Sequence, residues 1–164
     1  MAPVSVRVSV NGQTLSKRVR ELIYQAAADA RIDRSRIVVV QGSYKDGAGA
    51  SASGSTHDRA GVFDLRTRNL TEAETLRLVF HLRRWNCAAW YRAPAYGWPS
   101  SAGGPHIHAV VLDEPGLSRG ANWQRDEFYA VRNGLMNQAR DPHPRPAPQT
   151  YLLRRTARIV VPAT

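Results

Sequence analysis

Gly104-Pro105-His106-Ile107-His108-Ala109-Val110-Val111-Leu112 opens on turn-forming residues and runs into an apolar, β-branched stretch, the composition of a buried strand. His106 and His108 are two apart, so on a strand both rings leave the same face and can reach one site. An upstream block, Ser55-Thr56-His57-Asp58-Arg59-Ala60-Gly61-Val62-Phe63-Asp64, carries a further histidine and an aspartate. His57 and Asp64 are an odd number of residues apart, which on one continuous strand would point them in opposite directions. They share a site only if the chain turns or bulges between them, and Gly61 is placed to allow it. Two imidazoles and a carboxylate leave a zinc ion one open position for water, the feature that separates catalytic from structural metal sites. Convergence of these side chains would make the protein a hydrolase.

Outward from these blocks, the elements alternate. Val4, Val6, Val8 and Val10 alternate with small or polar residues, giving a half-buried strand that ends in an Asn11-Gly12 turn. Ser16 caps a helix over about 17–30 with Val19, Leu22, Ile23, Ala26, Ala27 and Ala30 as its apolar stripe. Ile37 to Val40 reads as a short buried strand. The Gly/Ala/Ser-rich stretch 47–55 reads as a loop at the rim of a site. Thr71-Glu72-Ala73-Glu74 is a capping box opening a helix to about Asn86. A strand is expected over Ala88 to Ala93, then a loop from Tyr96 to Gly104. Ser118 caps a helix carrying Trp123, Phe128 and Val131 and stopping at Asn133-Gly134. A Pro-rich extended connector (140–150) leads to a last strand from Tyr151 to Val161. The fold class expected is α+β: a single domain over 1–164, with a central, mainly antiparallel sheet and helices packed on it.

With 164 residues the chain is long enough for one well-packed domain and too short for two ordinary ones. No apolar run approaches membrane-spanning length, and the N-terminus lacks the basic and apolar segments of a secretory signal. The chain is therefore expected to stay cytoplasmic or to leave by another route, such as lysis. The single cysteine, Cys87, rules out an internal disulfide and reads as a buried apolar side chain. Of 23 basic residues 21 are arginine, and the net charge of +10 favours anionic partners: nucleic acid, a membrane surface or an anionic cell wall.

The two blocks resemble the zinc peptidases of the D-alanyl-D-alanine carboxypeptidase type, which share their fold with the hedgehog signalling domain and with several phage endolysins. That family's first block reads Ser-x-His-x-x-Gly-x-Ala-x-Asp, and many members end the site with His-x-His. The resemblance spans about residues 37–112. It implies His57, Asp64 and His108 as zinc ligands, with His106 as the catalytic or neighbouring imidazole; spacing alone does not say which of the two histidines binds metal. It implies a peptidoglycan stem or cross-bridge peptide as substrate, oriented by Ser43, Tyr44, Lys45, Ser55 or Trp98, and a monomer released to act on the cell wall. The chain departs from the pattern at Ala60 (family Gly), Val62 (family Ala) and Pro105, where some branches carry a catalytic Glu. The family's Gly-Tyr-Arg is echoed only by Gly42-Ser43-Tyr44-Lys45.

Two other readings stand beside this one. One is an inactive domain of the same fold. The other is a basic protein holding single-stranded nucleic acid, although no recognition motif is visible and the basic residues are spread along the chain. His81 reads as a surface or packing residue, and His143, between Pro142 and Pro144, as solvent-exposed. Trp85, Trp90 and Trp123 read as core by default.

Overall fold

The computed structural model describes residues 6–48 and 55–146; the expected C-terminal strand, Val4 and the middle of the Gly/Ala/Ser stretch lie outside them. The first hairpin pairs β1 (Arg7–Val10) with β2 (Gln13–Ser16) through Asn11 and Gly12, whose φ angles of 50° and 76° suit the twist of a tight hairpin. The Ser16 hydroxyl accepts the Val19 N–H and starts α1 (Lys17–Asp29), which buries Val19, Leu22, Ile23, Ala26 and Ala27. The capping box is present at α2 (Glu72–Arg84): Glu74 N–H donates to Thr71 Oγ1 and Thr71 N–H to Glu74 Oε2. Hydrogen bonds from Arg36 hold the Glu74 carboxyl down at about 2.

A four-stranded antiparallel sheet runs in the order β3 (Val39–Gln41), β4 (Val62–Arg66), β6 (His106–Val111), β5 (Cys87–Arg92). Its two faces do different work. Phe63, Leu65, Ile107, Ala109, Val111, Cys87 and Ala89 pack with α1 and α2 in the larger core. Burial raises the Cys87 thiol well above its ordinary range, so it stays a protonated packing group. The alternate residues Val62, Val110, Ala88 and Trp90 face α3 (Arg119–Tyr129) in a smaller cluster with Ala121 and Phe128. The architecture is thus a single-domain α+β fold, with two antiparallel sheets and three α-helices among the described residues. No helix among the described residues is long and apolar enough to cross a membrane.

Three expectations need correction. Trp123, expected in the core, is only partly buried and lines a cavity. α3 ends at Tyr129, short of Asn133-Gly134, because Val131 turns left-handed (φ 61°) and the Arg132 N–H reaches back to Glu127 O, closing the helix. His143 is buried, not solvent-exposed. β5 ends the described sheet, and its Tyr91 N–H donates to His143 Nε2 (3.0 Å). The segment is fastened by Arg83, which is fully buried on α2: its guanidinium donates to Asp141, to Ala89 O and to His143 O. Nothing local to the Pro-rich stretch announces this partner.

Burial and the Arg83 cation hold His143 down at about 4, against roughly 6.5 for an unperturbed histidine. The folded state needs the neutral ring, so its contribution is complete above about 6.5. It is lost as pH falls from there towards 4. Thermal melts between pH 7 and 4 should therefore show a steeper fall in Tm for the natural chain than for His143→Gln. Parallel profiles would rule out this coupling.

Candidate metal centre

The candidate metal ligands come from three places. His57 sits in a short 3-10 turn (Thr56–Asp58), Asp64 in β4 and His108 in β6 directly opposite Asp64. The odd separation of His57 and Asp64 is resolved by Gly61, whose φ of 83° reverses the chain before β4 begins. A Cβ there would come within 2.8 Å of Glu114 and Leu117, so the position needs glycine on two grounds. The ligand atoms of His57, Asp64 and His108 all lie within 4.8 Å of one another, and all three residues are buried.

Each ring is oriented by a bond on its far side. His57 Nδ1–H donates to Gly42 O (2.8 Å), which leaves Nε2 as the lone-pair nitrogen, buried, without a hydrogen-bond partner and 3.4 Å from Asp64 Oδ1. Gly42 reaches this position because its α-carbon presses on β2, where a Cβ would meet Thr14 O at 2.4 Å. His108 Nε2 faces Gln124 Oε1 (2.8 Å), and Gln124 Nε2 points to Gly134 O. With Nε2–H donated there, His108 Nδ1 presents its lone pair to Asp64 Oδ1 at 2.8 Å. A lone pair facing a carboxylate calls for a positive charge between them, and the bare His57 nitrogen faces the same oxygen. The 3.4 Å His57–Asp64 separation is close to the roughly 3.3 Å edge of a tetrahedron with 2.0–2.1 Å bonds, whereas the 2.8 Å His108–Asp64 contact is a hydrogen-bond distance that a shared metal would have to open. The group could hold a metal ion.

Burial pushes the Asp64 carboxyl up, but His108 and His57, when they carry protons towards it, outweigh burial and hold it far below the carboxylate range; the anion needs positive charge beside it, from a proton or a metal. Burial lowers His108, partly offset by Asp64, which favours the neutral ring a metal needs.

Beside the cluster, His106 lies on the same face. Its Nδ1–H donates to Gly104 O (2.8 Å), and its Nε2 is 3.9 Å from Asp64 Oδ2. Trp98 meets His106 edge-on, with ring centroids 5.2 Å apart. Together they line an open cavity of about 700 Å³ that also reaches Asp64, His108 and Ser55. The structure thus brings His57, Asp64, His106, His108, Ser55 and Trp98 to one region. It sends Ser43, Tyr44 and Lys45 elsewhere: the Ser43 hydroxyl exchanges bonds with the Val62 backbone, Arg7 lies over the Tyr44 ring and Lys45 Nζ bonds Gln13. None of these three lines the cavity.

Gln124 and Arg92 were not anticipated. Gln124 falls on the stripe of α3 that buries Ala121 and Phe128, and a polar residue in an apolar stripe is the signal that marks it. Arg92 is buried at the cavity wall and donates to Asn133 O and Gly134 O. Comparison with protein-family models, with characterised proteins and with solved structures gives no match. The likeness to zinc peptidases rests on the residues themselves.

Purified protein should bind one zinc ion per chain, and His57→Ala or Asp64→Asn should abolish that binding in equilibrium dialysis. Gln124→Leu leaves all three ligands in place but frees the His108 ring, so affinity should fall by about 10–100-fold. Equal zinc affinity in the natural chain and in His57→Ala would remove the site.

Proposed function

We propose that this chain is a zinc-dependent peptidase that cleaves an amide bond in bacterial peptidoglycan, with the compact architecture of the D-alanyl-D-alanine carboxypeptidase and hedgehog type. One observation carries the reading: in a buried two-histidine, one-aspartate cluster, Asp64 and His108 line an open cavity with His57 behind them, and a third imidazole, His106, stands beside the cluster. Structural zinc sites close their coordination with protein ligands, whereas a three-ligand set at a cavity leaves room for a reactant.

Zinc bound there would supply Lewis acidity towards the scissile carbonyl and acidify water towards neutral pH. The rest is the work of the chain. His106 Nε2, with Nδ1–H tied to Gly104 O, is the nitrogen free to take a proton from water and return it to the departing amine. It fills the role for which Pro105 offers no side chain. Asp64 keeps its charge at working pH and holds the two ligand imidazoles in register. Trp98 packs against His106 and gives the substrate a flat apolar wall. The net charge of +10 suits approach to an anionic wall.

The test is release of soluble peptide from purified cell walls by the zinc-loaded chain. Chelator should stop release and added zinc restore it. His106→Ala should lower kcat by about a hundredfold or more while zinc content stays unchanged. A zinc-replete chain that releases no peptide from walls of any cross-link type would leave a metal-bearing domain without turnover.

A further inference from the structure

The cavity holds more positive charge than its metal ligands account for. Register across the sheet sets the residues of the open face in rows. In one row Asp64, His108 and Trp90 lie side by side; in the next, Arg66, His106 and Arg92 do so. Arg68 follows in the turn after β4, and all three arginines line the cavity. Asp64 is the one carboxylate among the lining residues.

None of these arginines forms an ion pair with a carboxylate among the described residues. Arg92 is the informative member. It is 3% exposed; its hydrogen bonds go to two backbone carbonyls, and the Trp90 and Trp98 rings lie against its guanidinium. Arg83, the other buried arginine among the described residues, has the Asp141 carboxylate in a direct ion pair, whereas Arg92 has only the longer-range attraction of Asp64 and Asp141. A buried cation without a directly paired carboxylate is expensive to keep, and here it is kept at a cavity wall beside two further guanidiniums.

We propose that Arg66, Arg92 and Arg68 form an anion subsite that receives a free carboxylate of the substrate. This assignment rests on the peptidase reading and narrows it. Adjacent rows on a strand face are about 7 Å apart, and an extended peptide covers roughly that distance in two residues. The recognised carboxylate therefore lies within about two residues of the amide that is cut. A planar guanidinium suits a carboxylate because both of its N–H edges can donate at once. Two sources offer this chemistry: the C-terminal carboxylate of a stem peptide, and the carboxylate left free on its glutamate.

The experiment uses the zinc-loaded full chain and a synthetic stem peptide bearing both carboxylates, together with versions amidated at one, the other or both. Binding is read by calorimetry and cleavage separately by chromatography. Amidation of the recognised carboxylate should weaken binding at least tenfold. Arg66→Gln/Arg68→Gln should weaken the free-acid peptide by a similar factor and leave the doubly amidated peptide unaffected, with zinc content and Tm unchanged. Arg92→Lys, which keeps the charge and loses the fork, should do the same if its fold survives; the surface pair decides the matter if it does not. Sensitivity at the C-terminus marks a carboxypeptidase, and sensitivity at the glutamate an endopeptidase. Equal affinity for all four peptides, or arginine variants that bind as the natural chain does, overturns the subsite even if cleavage occurs. Carboxylate-dependent binding without cleavage keeps the subsite and removes the peptidase reading.

Discussion

The carboxylate of Asp64 lies in the middle of a sheet, almost out of water, with nitrogens of two imidazoles aimed at one of its oxygens. A charge in that position is tolerated only when its surroundings compensate it. Much of what surrounds it answers that demand. Gly42 O fixes the tautomer of His57, and Gln124 faces the far side of His108. The nitrogens turned towards Asp64 are those left without a proton of their own, the arrangement in which a cation completes the cluster. A proton shared between His108 and Asp64 would satisfy one ring and leave His57 Nε2 bare.

Holding that cluster is a problem of rigidity, and the sheet solves it by alternation. Every second residue of β4, β5 and β6 is locked in the larger core, so the residues between them project from a surface that cannot easily shift. α3 then ties the parts together. Its capping residue Ser118 donates to Thr56 O next to His57, Gly120 packs closely on Thr56, and Gln124 meets His108 one turn later. The loop after α3 joins in: its carbonyls accept from Trp90, Arg92 and Gln124, and Gly134 lies so near the Trp90 ring that a Cβ would come within 2.9 Å of it. Trp90 in turn stacks beside His108. One helix and one loop thus set the orientation of groups drawn from two strands and from the turn that carries His57.

Local chemistry was legible in the residues. Ser16, Thr71 with Glu74, and Ser118 start helices because their side-chain oxygens accept backbone N–H groups within a single turn. Asn11-Gly12 turns because both residues accept positive φ, and the two-residue spacing of His106 and His108 puts them on one face whatever surrounds the strand. The need for a reversal near Gly61 followed from parity alone. These are short-range constraints, complete within a few residues of chain.

What tertiary structure decided was everything that depends on distant neighbours. His143 gave every local sign of exposure, yet it is buried because Arg83, sixty residues away in the chain, draws its segment onto the edge of β5. The Gly42-Ser43-Tyr44-Lys45 stretch looked like a substrate contact by its resemblance to a family motif, but its side chains are taken up by Val62, Arg7 and Gln13, and it is the backbone that serves the site: Gly42 O accepts from the His57 ring and the Lys45 N–H donates to His57 O. Arg92 became visible once register had set it against His106, and Gln124 once α3 had packed it on His108. Sequence by itself determined which residues could turn, cap, alternate and ligate, since those properties belong to a side chain and its nearest peptide groups. Which of them meet was decided by packing, because contacts across a sheet are set by register and burial over the whole chain.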